Sequence, residues 1–360
     1  MPESPEPDCA DLGAAGELRP ALLEWYDRAR RDLPWRVRPG EAADPWRVLV
    51  SELMLQQTTV ATVRSRFAPF LARFPTLAAL ARAPLDDVLH AWQGLGYYRR
   101  ARALHACAQA VVAHHDGRLP LEVDALAGLP GLGAYTAAAV AAIAGGRAVV
   151  PVDANVERVL ARMLALDQPA ESARPRLRRA AARLSSPARP ADLAQGVMEL
   201  GALVCTPRRP ACLACPWRLW CRAAAAGEPE RFLPRSAKKA RVLLFAKAYA
   251  LIRPDGAVLF RRRPDTGVLA GLIELPTSEW LAQRLAVAAA SVPDLPLLDG
   301  LAAVPGSVRH LFTHIDLTVT MERGAPAADI AGIWVRPDRF GELALPTLTR
   351  KLLRHAGLAS

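Results

Sequence analysis

The sequence predicts a two-domain protein, in which a mainly α N-terminal domain precedes an α+β C-terminal domain. Apolar residues recur at helical spacing in most segments up to residue 204, whereas from Val242 onward apolar and polar residues alternate as they do in strands. A segment rich in proline, alanine and charged residues separates the two patterns. The 360 residues suffice for two cores. We expect a flexible tail over 1–17, the α domain over 18–227, a linker over 228–240 and the α+β domain over 241–360.

Eight helices are expected in the N-terminal domain. Pro45 suits the first turn of a helix that Asp44 begins, and Asp153 begins another. The alanine-rich helix that precedes Asp153 ends at Gly145 and Gly146. The expected ranges are 18–31, 45–57, 60–72, from 76–80 to 91, 97–115, 135–144, from 153 onward, and 191–204.

The C-terminal domain shows strand patterns and two helical segments. Strands Val242–Ile252 and Ala257–Arg261 flank Pro254-Asp255-Gly256, which is typical of a hairpin. The stretch Val308–Met321 alternates and predicts one strand, with Leu311 on one face and Phe312 and His314 on the other, unless a loop or bulge bends the strand at these residues. Helices are expected near 279–290 and 346–356. These elements indicate a small α+β domain.

Composition favours a polyanionic partner. Lys and Arg number 46 against 35 Asp and Glu, a net charge of +11, which favours nucleic acid, although a generally basic surface would give the same balance. No apolar run is long enough for a membrane span. The N-terminal stretch is acidic and Pro-rich without an apolar region, so we expect no secretory signal and a cytoplasmic, nucleoid-associated protein.

Four cysteines lie within 17 residues, with gaps of 6, 2 and 5 residues: Cys205, Cys212, Cys215 and Cys221. Four thiolates at such spacing can hold one [4Fe–4S] cluster, and zinc is the alternative. Cys9 and Cys107 fall outside this pattern. Arg208 and Arg209, between the first two cysteines, fit phosphate contact, although an ordinary solvated loop would look the same.

The stretch Leu129–Leu160 contains the features most suggestive of DNA binding. Gly131 and Gly133 form a tight turn before a helix, whose first amide groups suit a phosphate. By itself this turn is also compatible with a plain helical corner. Asp153 at the next helix start is usually only an N-cap.

Glu52 lies off the apolar stripe of its helix, but its neighbours at turn spacing are Val48, Leu49 and Leu55. Burial among such residues raises the pKa of a carboxyl, as a general acid near neutral pH requires. An ordinary surface glutamate is the alternative. Farther along, Gly96-Tyr97-Tyr98-Arg99-Arg100 combines aromatic and basic side chains, which suits base stacking and phosphate pairing, or else simple packing.

Several motifs resemble the DNA glycosylase superfamily that includes endonuclease III, and in particular its adenine glycosylase branch. The helix-hairpin-helix and following Asp loop of that superfamily match 129–160. The run Ser51–Thr58 and the segment Leu33-Pro34-Trp35-Arg36 match the adenine branch, and the cysteine spacing resembles that of the glycosylase iron–sulfur cluster. The resemblance favours the [4Fe–4S] cluster over zinc.

The resemblance implies catalysis by Glu52 and Asp153, with Tyr135 orienting Asp153 or the departing base and Asn155 supporting the loop. Other roles implied by the resemblance concern the adenine pocket, the wedge into double-stranded DNA, and phosphate binding. The residues of the adenine pocket are Trp35, Arg36, Leu55 and Gln195. Those of the wedge are Gln57 and Tyr97. Those that bind phosphate are Gly131, Gly133, Arg208 and Arg209.

The C-terminal domain resembles the Nudix-like domain of adenine glycosylases, which implies lesion recognition by Phe312, Thr313 and His314. The family's serine is Thr313 here, and its tryptophan is missing from the segment Thr266–Gly271. The diphosphate-cleaving signature is absent, so we expect no hydrolase activity there.

The implied function is base excision repair by a monomeric, monofunctional glycosylase that removes adenine opposite 8-oxoguanine or guanine. One alternative is an endonuclease III-like glycosylase/lyase, against which Tyr135 argues, because lyases carry a Schiff-base lysine at that position. Another is a non-catalytic iron–sulfur protein that binds DNA or senses redox state, against which the presence of both carboxylates argues.

Overall fold

The computed structural model describes residues 15–232, 240–284, 300–326 and 330–359. These residues form two compact units. The first contains the described residues up to Arg82 and from Ala103 to 232, and the second contains Ala83–Arg102 and the described residues from 240 onward. The division falls inside a helix, between Arg102 and Ala103. No feature of the sequence indicated that 83–102 groups with the C-terminal unit.

The helices follow the chain in order, and most of them begin at a proline or a capping side chain. Asp44, for example, accepts a hydrogen bond from the Trp46 amide at 2.9 Å. The helices are α1 (Ala15–Ala29), α2 (Pro45–Leu55), α3 (Val60–Arg73), α4 (Leu77–Arg82), α5 (Leu85–Ala91), α6 (Arg99–His114), α7 (Val123–Ala127), α8 (Ala134–Ile143), α9 (Ala154–Met163), α10 (Ala170–Leu184), α11 (Pro190–Leu203), α12 (Arg222–Ala225) and α13 (Thr347–His355).

The core of the first unit packs α1, α9, α10 and α11 around fully buried side chains. Leu18, Leu160, Leu177 and Leu200 are members of one apolar cluster. Trp217, which lies among the cysteines, joins it and donates its indole N–H to the Leu18 carbonyl at 2.8 Å. This core therefore fixes the helix that follows Asp153 against the cysteine segment. Among the helices of the described ranges, none has both the length and the apolar character to cross a bilayer.

Three helical expectations need correction. The helix expected up to residue 91 is two helices, α4 and α5, because Pro84 has no amide hydrogen to continue the first. Gln57 lies beyond the end of α2, with a left-handed backbone at φ 54°. Helix α10 was not expected, because its many arginines make the apolar pattern hard to recognise in the sequence. Its buried face includes Ala173 and Leu177.

The expected linker is described only at 228–232 and at 240, where Pro229–Arg231 forms a 3-10 turn. The tail is described only from Ala15, which already lies in α1. The remaining residues of both segments, and Cys9, lie outside the described ranges.

The second unit contains two three-stranded sheets. Strands β1 (Val242–Leu251), β5 (Ile315–Gly324) and β4 (Ala302–Leu311) form one sheet in that order, with β1 parallel and β4 antiparallel to β5. Strands β3 (Ile273–Glu274), β2 (Val258–Arg262) and β6 (Ile333–Val335) form the other, which is antiparallel. Leu348 and Leu352 of α13 pack on the core of this unit.

The strand expectations were partly wrong. Strands β1 and β2 flank the expected turn at 253–256, yet they lie in different sheets and share one bridge, Ile252–Val258. The single strand expected over 308–321 is instead a hairpin of β4 and β5, and Phe312–His314 form its turn. Residues 279–284 are not helical, and 285–290 lie outside the described ranges.

Candidate active site

Glu52 is a buried carboxylic acid on α2. Glu52 is only 6% exposed, because it lies on the side of α2 that is buried together with its apolar neighbours. The carboxyl accepts a hydrogen bond from the Tyr135 hydroxyl at 2.9 Å. Burial raises the pKa of Glu52 to about 7, and this hydrogen bond offsets part of the rise. At neutral pH Glu52 is therefore divided between its protonated and ionised forms.

Tyr135 lies in the first turn of α8, and its hydroxyl donates a hydrogen bond to the Glu52 carboxyl. Burial, together with the nearby charges of Glu52 and Asp153, raises the pKa of Tyr135 well above its usual value, so the phenol remains neutral. Its hydroxyl also contacts the Met198 sulfur at 3.4 Å. We expected Tyr135 to orient Asp153 or the departing base. Its hydrogen bond goes to Glu52 instead, because the start of α8 faces α2.

Asp153 is the N-cap of α9. One carboxylate oxygen accepts the amides of Asn155 at 3.0 Å and Val156 at 2.8 Å, and the other accepts the Asn155 side-chain amide at 2.8 Å. All three donors lie at the N-terminus of α9, whose helix dipole interacts favourably with negative charge. Its charge also contributes to the raised pKa of Glu52. The first unit thus brings together two carboxyls whose environments differ.

Asn155 is held in turn by Arg158, one turn along α9. The Arg158 guanidinium donates to the Asn155 side-chain oxygen at 2.8 Å and to the Gly201 and Cys205 carbonyls, each at 2.7 Å. Gly201 lies directly against Asn155, since a Cβ at residue 201 would come within 2.7 Å of the Asn155 Cβ. The aspartate loop is therefore fixed to the segment that leads into the cysteines.

The candidates for an adenine pocket are only partly brought together. Trp35, Arg36 and Gln195 line one cavity of about 370 Å³, whose wall also includes Gly145 and Gly146. Leu55, the last residue of α2, is half-buried and is not part of this lining, and neither is Glu52. The cavity lined by Trp35, Arg36 and Gln195 therefore does not include the acid.

Glu199 is a buried carboxylate on α11 that the sequence analysis did not single out. It is 1% exposed and accepts paired hydrogen bonds from Arg31 and Arg36 at 2.7 to 3.0 Å. Burial alone would raise the pKa of Glu199, but the two arginines outweigh it and lower the pKa to about 2. Its position one turn after Gln195 on α11 was the available signal. Glu199 holds Arg36 at the wall of the cavity.

The predicted DNA contacts have unusual backbone conformations. Gly131 has φ +74°, and a Cβ there would lie 2.3 Å from the Ala103 side chain, so only glycine fits. Gly133 caps α8 without a side-chain hydrogen bond to its first amides. Gln57 in the first unit and Tyr97 in the second are each exposed and left-handed, at φ 54° and 46°. Such conformations in non-glycine residues are concentrated at functional sites.

The loop between Cys205 and Cys212 is ordered by its own contacts. Arg208 and Arg209 are both exposed, and the Arg209 amide donates to Glu230 at 2.8 Å. The buried Arg162 of α9 donates to the Thr206 carbonyl at 2.7 Å. Two exposed guanidinium groups are thus presented on a fixed backbone.

The four cysteine side chains line one small cavity of about 20 Å³, together with Arg162. The Arg162 guanidinium donates to the Cys205 sulfur at 3.3 Å. Burial, and the neighbouring thiols, raise the pKa of Cys215 to about 12 and raise that of Cys221. As the side chains stand, no group of three or more histidine, cysteine or carboxylate residues in the described ranges could hold a metal ion. The donor set nevertheless fits a thiolate-ligated group, since four thiols converge on one place.

The second unit places Thr313 at the tip of the β4–β5 hairpin, where it is exposed. Its hydroxyl lies 3.0 Å from the hydroxyl of Tyr97. The turn is closed by hydrogen bonds from the Phe312 amide to the Ile315 carbonyl and from the Val242 amide to the His314 carbonyl, at 2.8 and 2.9 Å. Two residues predicted separately for the wedge and for lesion recognition are thus in contact.

Comparisons with known proteins identify the families that match each part of the chain. Residues 50–183 match the family model of the HhH-GPD superfamily base excision DNA repair protein, and residues 248–355 match that of the NUDIX domain. The human adenine DNA glycosylase is 35% identical over 96% of this chain and 74% of its own length. The adenine DNA glycosylase of Mycolicibacterium smegmatis is 46% identical over 61% of this chain and 73% of its own.

A solved structure supports the fold of the N-terminal half. A thermostable thymine-DNA glycosylase superposes with a TM-score of 0.54 at 28% identity, over 60% of this chain and 99% of its own. The matches to curated relatives extend over both units. The chain belongs to the adenine DNA glycosylase family.

Proposed function

We propose that this protein is a monofunctional glycosylase that removes adenine mispaired with 8-oxoguanine or guanine from double-stranded DNA. One observation carries the proposal: Glu52 is buried, its pKa is raised to about 7, and it lies close to Asp153, whose carboxylate accepts three hydrogen bonds at the N-terminus of α9. Two carboxyls with opposed environments are what acid-assisted cleavage of a glycosidic bond requires.

The reaction begins when the adenine nucleotide leaves the base stack, because its glycosidic bond is inaccessible within the duplex. Protonated Glu52 donates to N7 of the base, so that adenine departs as a neutral molecule. A pKa near 7 keeps much of Glu52 protonated at neutral pH while leaving the proton easy to transfer.

Departure of adenine leaves an oxocarbenium-like sugar that carries positive charge. Asp153 stabilises this charge, and Asn155 and Arg158 hold the carboxylate in place through the contacts described above. Water then completes the hydrolysis. Tyr135 orients Glu52 through its hydroxyl. A phenol cannot form a Schiff base, so Tyr135 cannot start the strand cleavage that a lyase performs.

The protein binds its DNA as a monomer through several elements. The amides that follow Gly131 and Gly133 hold a phosphate at the start of α8, as helix N-termini do. Gln57 and Tyr97 enter the duplex, and Arg208 and Arg209 contact the backbone. The net charge of +11 supports residence on the nucleoid in the cytoplasm.

The base opposite adenine is read by the hairpin turn Phe312–His314. The Thr313 hydroxyl, beside that of Tyr97, is placed to donate or accept a hydrogen bond at the edge of 8-oxoguanine. Trp35, Arg36 and Gln195 form part of the wall against which the extruded adenine rests.

The decisive experiment is incubation of the protein with duplexes carrying adenine opposite 8-oxoguanine, guanine or thymine, followed by alkali in one half of each sample. Strand cleavage that requires alkali, on the first two duplexes but not the third, is expected. Cleavage without alkali, with borohydride trapping, would favour a glycosylase/lyase. Tight binding with no excision would favour a non-catalytic DNA-binding protein.

We also propose that Cys205, Cys212, Cys215 and Cys221 hold a [4Fe–4S] cluster, which ties the segment after α11 into one fold. Iron and sulfide analysis of protein purified without oxygen should give four of each per chain, with a visible absorbance band. Cys107→Ser should leave the iron content unchanged, since Cys107 is buried elsewhere. Stoichiometric zinc without iron would overturn the assignment.

A further inference from the structure

Three aromatic rings stack beside the turn that carries Thr313. The ring of Trp280 stacks on that of Phe312, with centroids 5.5 Å apart and planes inclined by 28°. The imidazole of His310 meets the same Phe312 ring edge-on, with centroids 4.5 Å apart. Trp280 and Phe312 both pack against the core of the second unit. Phe312 therefore connects the exposed turn to the rigid interior.

Trp280 is itself fixed on two sides. The next residue, Leu281, exchanges two backbone hydrogen bonds with Phe245 of β1, at 2.8 and 2.9 Å. The Arg263 guanidinium lies 4.9 Å from the centre of the Trp280 ring. Arg263 also donates to the buried Glu274 carboxylate at 2.6 Å, so it cannot move freely. The indole is a fixed surface rather than a mobile side chain.

The stack contains polar atoms that oppose folding. The indole nitrogen of Trp280 and Nδ1 of His310 are buried and have no hydrogen-bond partner among the described residues. A buried polar group without a partner lowers stability. A leucine at residue 280 would avoid that cost but would lose the ring stacked on Phe312, so the chain keeps an aromatic ring here despite the unpartnered nitrogen.

We propose that Trp280 is a positioning residue for recognition of the base opposite adenine. By fixing the Phe312 ring, Trp280 holds the adjacent Thr313 hydroxyl at its 3.0 Å contact with Tyr97. This inference rests on the proposed reading of that base by the turn Phe312–His314. It gives the C-terminal unit an aromatic support outside the segment Thr266–Gly271, which has no tryptophan.

The test compares Trp280→Leu and Trp280→Phe with a matched control, Trp334→Leu, all in the full chain. Trp334 is also half-buried in the second unit and also has an arginine 4.9 Å from its ring, that of Arg253. Neither a stacking contact nor a hydrogen bond joins it to the turn among the contacts of the described residues. The measured quantity is the ratio of single-turnover excision rates on duplexes with adenine opposite 8-oxoguanine and opposite guanine.

Trp280→Leu should lower this ratio roughly fivefold, the loss expected when one hydrogen bond is misplaced, with the rate opposite guanine unchanged. Trp280→Phe keeps a stacking ring and should keep the ratio, as should Trp334→Leu. An equal fall in both rates for Trp280→Leu would mean a structural role and would overturn the inference. So would an unchanged ratio.

Two further variants separate this inference from the proposed function. Thr313→Val tests the recognition turn directly. If it lowers the ratio and Trp280→Leu does not, the turn reads the base but Trp280 does not position it. If neither variant changes the ratio, the proposed recognition fails as well. Should Trp280→Leu not fold, Phe312→Leu breaks the same stack from the other side and must show the same selective loss.

Discussion

Replacing Glu52 by glutamine should abolish excision and, at the same time, stabilise the first unit. The pKa of Glu52 is raised from its ordinary value of 4.5 to about 7 by burial. A carboxyl with a raised folded-state pKa costs no stability below pH 4.5, costs progressively more between pH 4.5 and 7, and costs its full amount above pH 7. That full amount is about 3 kcal/mol, and glutamine removes it.

The assay is urea unfolding of the two proteins at pH 5, 6, 7 and 8. The midpoint advantage of Glu52→Gln should be small at pH 5, grow through pH 6 and 7, and level off by pH 8. Adenine excision by the variant should be undetectable, while its affinity for the duplex is retained. A stability difference that does not change with pH would refute the burial argument, and excision near the normal rate would refute the role of Glu52 as the acid.

Glu199→Gln is the matched control, because its carboxyl is equally buried but has the opposite pKa shift. Its pKa is lowered to about 2, as the hydrogen bonds from Arg31 and Arg36 outweigh burial. Such a carboxylate stabilises the fold above pH 4.5, and this contribution is lost as the pH falls toward 2. The substitution should therefore destabilise the protein at pH 7, by leaving two arginines without their buried partner.

Three other variants probe the reaction itself. Tyr135→Phe removes a hydrogen bond that lowers the pKa of Glu52, so the fall of single-turnover excision at high pH should move upward by about one pH unit; an unmoved profile would mean that Tyr135 does not set this pKa. Asp153→Asn should slow excision on the order of a hundredfold or more, because it removes the charge that meets the sugar cation; an active variant would leave Asp153 as an N-cap only. Tyr135→Lys should become trappable by borohydride on DNA, whereas the parent protein should not.

Local periodicity was sufficient to predict an apolar setting for Glu52 and a helix that begins at Asp153. The neighbours of Glu52 at turn spacing are apolar, and any helix through them buries its carboxyl, as the structure confirms. Asp153 likewise precedes a helix that its own side chain caps. These predictions depend on residues within one or two turns, which the sequence displays directly.

Features that depend on distant residues could not be predicted in this way. The hydrogen bond from Tyr135 to Glu52 joins residues 83 apart, and the Tyr97–Thr313 contact joins residues 216 apart. At Phe312–His314 only a bend in the strand was considered and not a full reversal of the chain, because the segment contains no glycine, proline or asparagine and leaves the alternation unbroken. Long-range packing stabilises a hairpin at a place where local propensity alone would also allow a straight strand.

Gly201 makes the aspartate loop sensitive to a residue that touches no DNA. Even the methyl group of alanine would come within 2.7 Å of the Asn155 side chain and 2.9 Å of its carbonyl oxygen. The helix carrying Gly201 cannot simply back away, because Arg158 joins the Gly201 carbonyl to Asn155. In a screen of inherited or selected variants, substitutions at Gly201 should therefore be classed with active-site defects, although the position contributes no chemical group to the reaction.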